Sequence, residues 1–174
     1  TDLSTAIVSD AGGIKALDGE GFVNYDTAGF LPPLSKVAYR IVWGIKDVNN
    51  NLILGSPSSR IVVTNFDTTA TGTIDLTFII PDGITTSYFY QVYRTSIFTA
   101  LTLADLDDVD PGDEMRLVIE DFPTATQLAN KEVTVNDITP EDFQQGGAFL
   151  YTNPITGDGG RGILDANDPP PVAK

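Results

Sequence analysis

The chain has 174 residues with neither cysteine nor histidine, and its 24 acidic against 10 basic residues give a formal net charge of −14. The missing thiols and imidazoles exclude a disulfide framework, thiolate nucleophiles, the Ser-His-Asp arrangement and nearly all transition-metal catalysis. A field of that sign repels phosphate backbones and anionic lipid, which argues against nucleic-acid and membrane partners.

This length suits one domain, or one domain with extended ends, held by apolar burial at about 25 cal/mol per Å². No apolar run approaches the ~20 residues of a spanning helix. The chain opens on Thr1 without a basic-then-apolar leader, which reads as a fragment or a processed chain.

In residues 1–36, Thr5 to Ser9 read as a short edge strand. Gly12, Gly13, Gly19 and Gly21 then predict loops with one or two short pairings. Phe22, Tyr25, Phe30, Leu31 and Leu34 are too apolar to hang in water and are expected to cover an edge of a sheet, while Pro32-Pro33 marks an extended approach to the next stretch.

The organising stretch is VAYRIVWGIKDVNNNLILGSPSSRIVVTN, residues 37–65. Val37, Tyr39, Ile41, Trp43 and Ile45 are apolar at period two, as in a half-buried strand. Asp47 to Asn51 predict a reversal, because Asn tolerates positive φ and Asx side chains bond their own backbone. Leu52–Leu54 and Arg60–Thr64 then form an interrupted return strand.

Thr73 to Ile80 alternates again, with Ile74, Leu76, Phe78 and Ile80 on one face, and Pro81-Asp82-Gly83 ends it. Residues 87–95, SYFYQVYRT, show no polar face, so this strand is either covered on both sides or projects rings into solvent. A single helical turn is expected at Leu103 to Leu106, capped by Thr102. Met115 to Asp121 is a strand with Met115, Leu117 and Ile119 inward.

One more strand is placed at Lys131 to Val135. Thr139 is expected to cap a short helix with Pro140 at its first position. From Gly146 the glycines and Pro169-Pro170-Pro171 predict an extended tail anchored by Phe149, Leu150, Tyr151, Ile163 and Leu164. This divides the chain into a segment of loops and short strands at 1–36, a core at 37–137, and a helical turn with extended tail at 138–174. Short strands joined by frequent turns, without a strong amphipathic helix, predict an all-β, antiparallel β-sandwich.

Two resemblances sharpen this. The stretch from Tyr39 to Asn65, with its polar turn, Ser-Pro-Ser element and Val/Thr-rich strand, resembles the paired strands of fibronectin type III and immunoglobulin-like domains. The succession TIDLTFII, SYFYQVYRTS, EMRLVIEDF, with Tyr90, Val92, Tyr93 and Arg94 in its middle strand, resembles β-sandwich modules of bacteriophage tail and other virion proteins, over about residues 37–137. The tail LYTNPITGDGGRGILDANDPPPVAK, from Leu150, is similar to a joining segment in tail proteins of short-tailed phages, the nozzle type included. The resemblance implies a non-enzymatic virion module, a spacer or attachment domain, with other virion subunits or the rest of a parent tail protein as partners. Its location would be the virion, or otherwise extracellular.

Site-like features remain. The acidic run from Asp105 to Glu114 offers calcium ligands at Asp105, Asp107, Asp108 and Asp110. The EF-hand pattern fails there, with Val109 at the fifth position, no glycine at the sixth and Arg116 at the twelfth, so a solvated loop is the preferred reading. Asp165-Ala166-Asn167-Asp168-Pro169 resembles the calcium-binding linker of cadherins but lacks its second asparagine. Tyr88, Phe89, Tyr90 and Tyr93 offer a ring platform for a host-surface glycan or receptor, against the preferred reading of core and interface. A cell-surface adhesin repeat is a further class. Trp43 is expected inside, and Arg40, Arg60, Arg94 and Arg116 as exposed cross-strand cations. Paired carboxylates, for instance Asp75 with Glu120, would suit glycoside hydrolysis, but nothing in the sequence marks a cleft. No cofactor and no catalytic residue is expected.

Overall fold

The computed structural model describes residues 13–26 and 28–150. The strand expected at Thr5 to Ser9, the tail anchors Tyr151, Ile163 and Leu164, and the cadherin-like stretch lie outside them.

Two antiparallel sheets pack face to face. The first has the order β1 (Gly19–Tyr25), β5 (Gly72–Ile79), β9 (Glu132–Asp137). The second runs β10 (Phe149–Leu150), β8 (Met115–Asp121), β6 (Phe89–Thr95), β2 (Ser35–Lys46), β3 (Leu52–Leu54), and β4 (Ile61–Asn65) and β7 (Phe98–Thr99) also pair with β2. The chain passes from β1 to β2 in the other sheet, back to β5, and across again to β6 and β8. That is the connectivity of an immunoglobulin-like sandwich, with β1 and β5 in the places of B and E, and β3, β2, β6 and β8 in those of C′, C, F and G. It departs at β9, which follows the G-like strand yet flanks β5 where the D strand of that fold lies.

The β2 turn forms as its residue types predict. Asn50 takes φ 65°, and the Asp47 carboxylate accepts the Asn49 and Asn51 N–H groups at 2.8 Å each. β3 and β4 both return along β2, and between them Gly55 and Ser58 still donate to the Trp43 and Ile41 carbonyls. Inward residues of β2, β5 and β6 build the main core, with Val37, Tyr39, Ile41, Trp43, Ile74, Leu76, Phe78, Tyr90 and Val92 all buried.

β2 is not half-buried. Ala38 and Val42, on its outer face, form a second cluster with Tyr93, Met115 and Leu150. A bulge opposite Val92 and Tyr93 explains how β8 serves both clusters: Met115 and Leu117 join the outer one, while Val118 and Ile119 pack on the main core. Strict alternation, which would turn Met115, Leu117 and Ile119 the same way, breaks at that extra residue.

The glycines of residues 13–36 hide a strand. β1 pairs with β5 over seven residues, and a Cβ at Gly21 would collide with the Val63 side chain. Glycine there marks close approach of β1 to β4, and Gly21→Ala is expected to cost about 1–3 kcal/mol, checked by urea unfolding. Leu31 is fully buried as expected, but Phe22 and Tyr25 are 58% and 54% exposed.

Three short helices punctuate the second half. α1 (Leu103–Asp108) has Thr102 as its N-cap. α2 (Ala125–Asn130), not among the elements expected from the sequence, begins with a capping box between Thr124 and Gln127. α3 (Glu141–Gln144) has Pro140 as N-cap with extended ψ of 157° and no side-chain cap bond. Thr139 does not cap it: the N-cap falls one residue later, at Pro140, and the Thr139 N–H instead donates to the Asp137 carboxylate.

Candidate functional site

The four aromatic residues of the β6 region do not share a face. Tyr90 points inward and meets Trp43 and Phe78 edge-on, at centroid distances of 5.7 and 5.4 Å. Phe89 points outward but is covered, 6.0 Å from Phe122, and lies where a Gly44 side chain would stand. Tyr93 is also outward and buried, donating to Gln91 Oε1 at 2.9 Å, while Tyr88 packs partly buried against the main core. Period two sends neighbours to opposite faces, and both faces of β6 are covered, so no platform forms.

The acidic run is a strap over the outer face of β2 and β4. Lys36 Nζ lies 3.4 Å from the Asp107 and Val109 carbonyls, and Arg60 forks onto Asp110 at 2.8 and 3.2 Å. Arg40 and Arg60 both approach Asp113, at 3.6 and 3.5 Å. Asp105 is engaged by the Thr102 hydroxyl at 2.7 Å, and Asp108 ends α1 exposed to solvent. Among the described residues, no three acidic side chains come together in an arrangement able to hold a metal ion. The Arg60 hydrogen bond holds the Asp110 carboxyl below its usual range. Exposed pairs of this kind contribute about 0–1 kcal/mol, so Arg60→Ala is expected to change the unfolding free energy by less than about 1 kcal/mol. Melting curves should also coincide with and without a chelator.

The functional-looking cluster lies elsewhere, between the sheets. Arg94 is not an exposed cation: it follows Tyr90 and Val92 on the inward face of β6 and is fully buried. Its Nη1 donates to Asp137 Oδ2 on the facing sheet at 2.7 Å and to the Thr139 carbonyl at 2.8 Å. The Tyr39 hydroxyl donates to the same carboxylate oxygen at 2.8 Å. Glu141 Oε2 stands 3.5 Å from Nη2, and the Phe30 ring centroid 4.1 Å from the guanidinium carbon. The Gln144 side chain donates to the Arg94 carbonyl at 2.8 Å, and Glu141 Oε1 accepts the Ile97 N–H at 3.1 Å. Only the inward phase of Arg94 in SYFYQVYRT signalled this. Its partners, 43 and 47 residues away, could not be read from spacing.

A perturbed group in such a cluster is a candidate for chemistry. Here each charge is turned onto another, and the result is a tie between layers. Burial, and next the Asp137 charge, raises the Tyr39 phenol well above its ordinary range. Burial also pushes Tyr90 and Tyr93 up to about 12, helped by Asp121 and Glu120 respectively. A phenol with a raised folded-state pKa stays neutral in the fold while its unfolded counterpart ionises. Stability is therefore full below pH ~10 and falls as pH rises from there towards the folded-state values. Urea unfolding between pH 8 and 12 should show this decline, and Tyr39→Phe should make it shallower; a flat profile would contradict it.

Asp75 and Glu120 stand on opposite outer faces of the sandwich, Asp75 bonded to Asn136 of β9 and Glu120 to Gln91 of β6. They cannot flank one glycosidic bond. Comparison of the chain with protein-family models, with curated proteins and with solved structures finds no match.

Proposed function

We infer that this is a non-catalytic structural module of a larger assembly, a spacer and attachment domain. The resemblance to tail modules of bacteriophages makes the virion the location that fits best, with other virion subunits or the rest of a tail protein as partners. One observation carries the structural reading: the buried charges and the strapped C-terminal arm serve to hold parts of the chain together. Arg94 ties the two sheets through Asp137. On the arm, Arg116 donates to the Gln145 carbonyl at 2.5 Å and stacks 3.7 Å from the Phe149 ring, while β10 adds to the edge of β8. Tension arriving through the residues after Leu150 would reach β8 across these bonds before it reached the core. An antibody against residues 13–150 should decorate the tails of phage particles that carry the parent gene. Labelling confined to a bacterial cell surface would replace this reading with that of an adhesin repeat.

A further inference from the structure

We propose that the outer face of the β1-β5-β9 sheet binds a neutral or amino-sugar glycan, with Phe22 as the stacking ring. This does not depend on the virion reading. Whereas the outer face of the second sheet is covered by the chain's own acidic strap and C-terminal arm, the first sheet presents a different surface. Along β1, Val23 turns to the core and Phe22 turns out, 58% exposed. Register places Asp75 and then Asn136 beside Phe22 in one row, and Glu20, Thr77 and Thr134 in the next.

These polar groups are fixed in advance of any ligand. The Asn136 amide donates to Asp75 Oδ1 at 2.6 Å and to Thr73 Oγ1 at 3.2 Å, and the Thr77 and Thr134 hydroxyls are 3.0 Å apart. Asp75 keeps a second carboxylate oxygen, Asn136 its carbonyl, and each hydroxyl spare acceptor capacity. One row beyond lies a recess of about 300 Å³ lined by Asp18, Glu20, Thr77, Ile79 and Glu132 among others. A flat phenyl face flanked by rigid acceptors and hydroxyls matches a pyranose, which has one apolar C–H face and an equatorial rim of hydroxyls. Charge selects the class: the outward positions of the three strands carry Glu20, Asp75 and Glu132 and no lysine or arginine, Asp137 being turned inward, so sialylated and uronic-acid glycans are repelled. An ammonium or neutral sugar is not.

The test is an array of neutral, amino and acidic oligosaccharides probed with the whole chain, followed by titration of any hit. The expected result is binding confined to neutral or amino sugars, weakened at least about tenfold by Phe22→Ala and by Asn136→Ala. Both side chains are exposed, so both variants should fold, and Phe143→Ala, a phenyl 75% exposed elsewhere, should bind as the parent does. No glycan bound, acidic glycans bound as well as neutral ones, or affinity unmoved by Phe22→Ala would each overturn the proposal. So would carbodiimide coupling of Glu20 or Asp75 to a lysine of another protein with no glycan bound, which would make the face a protein contact.

Discussion

Asp137→Ala is expected to lower the unfolding free energy by about 3–5 kcal/mol, one of the two largest losses available to a single substitution here. Asp137 is fully buried and accepts from Arg94 Nη1, the Tyr39 hydroxyl and the Thr139 N–H. Removing it strands a guanidinium in the interior with Glu141, at 3.5 Å and partly exposed, as the remaining counter-charge. Since a whole domain is stable by only about 5–15 kcal/mol, such a loss is visible in urea titration as a lower midpoint with an unchanged slope. The discriminating measurement is the combination Arg94→Met, Asp137→Leu, Tyr39→Phe. Replacing the three fully buried members by apolar groups removes their desolvation penalty along with the attraction and leaves only the partly exposed Glu141, so the triple variant should lie closer to the parent than Asp137→Ala alone. A loss below about 1 kcal/mol for Asp137→Ala would mean that the tie does not hold the layers.

Trp43→Ala should cost a similar amount, about 3–5 kcal/mol, for a different reason. Trp43 is 1% exposed and meets Phe78 of the facing sheet at 6.1 Å and Tyr90 at 5.7 Å, both edge-on. Phe78 and Tyr90 also touch, so three rings from two sheets form one closed contact whose centre would become a cavity. Because this is the chain's only tryptophan, unfolding of the variant is best followed by circular dichroism. Trp43→Phe keeps an edge-on ring and discards an indole N–H that has no acceptor among the described residues, so it is expected to be much milder. Equal losses for the two would show that ring packing is not what stabilises this part of the core.

The two variants probe ends of one interior that differ in how well they could be foreseen. Trp43 reads as inside because it sits in a clean period-two run, and so do Ile74, Leu76 and Phe78 of β5 and Ile80 just beyond it, all of which are buried. The Asp47 to Asn51 reversal was legible because its chemistry is local: the carboxylate bonds N–H groups two and four residues on. Features depending on a distant neighbour were not. Gly21 reads as a loop until Val63 is known to press on it. Arg94 reads as a surface cation until Asp137 faces it. The rings of β6 read as core or interface, with a platform as the alternative, and only the covering of both faces of the strand decides between them.

Alternation, turn residues and the absence of thiol and imidazole chemistry thus determined, from sequence alone, an antiparallel sandwich and the inward face of most strands. These are properties of side chains within a few residues of each other, where backbone geometry fixes direction. Which faces stay exposed was decided only by the tertiary structure. Among the described residues the acidic strap and the C-terminal arm cover one sheet, and none of them covers Phe22 on the other. Burial of an outward face depends on what the rest of the chain lays over it, and period two carries no information about that.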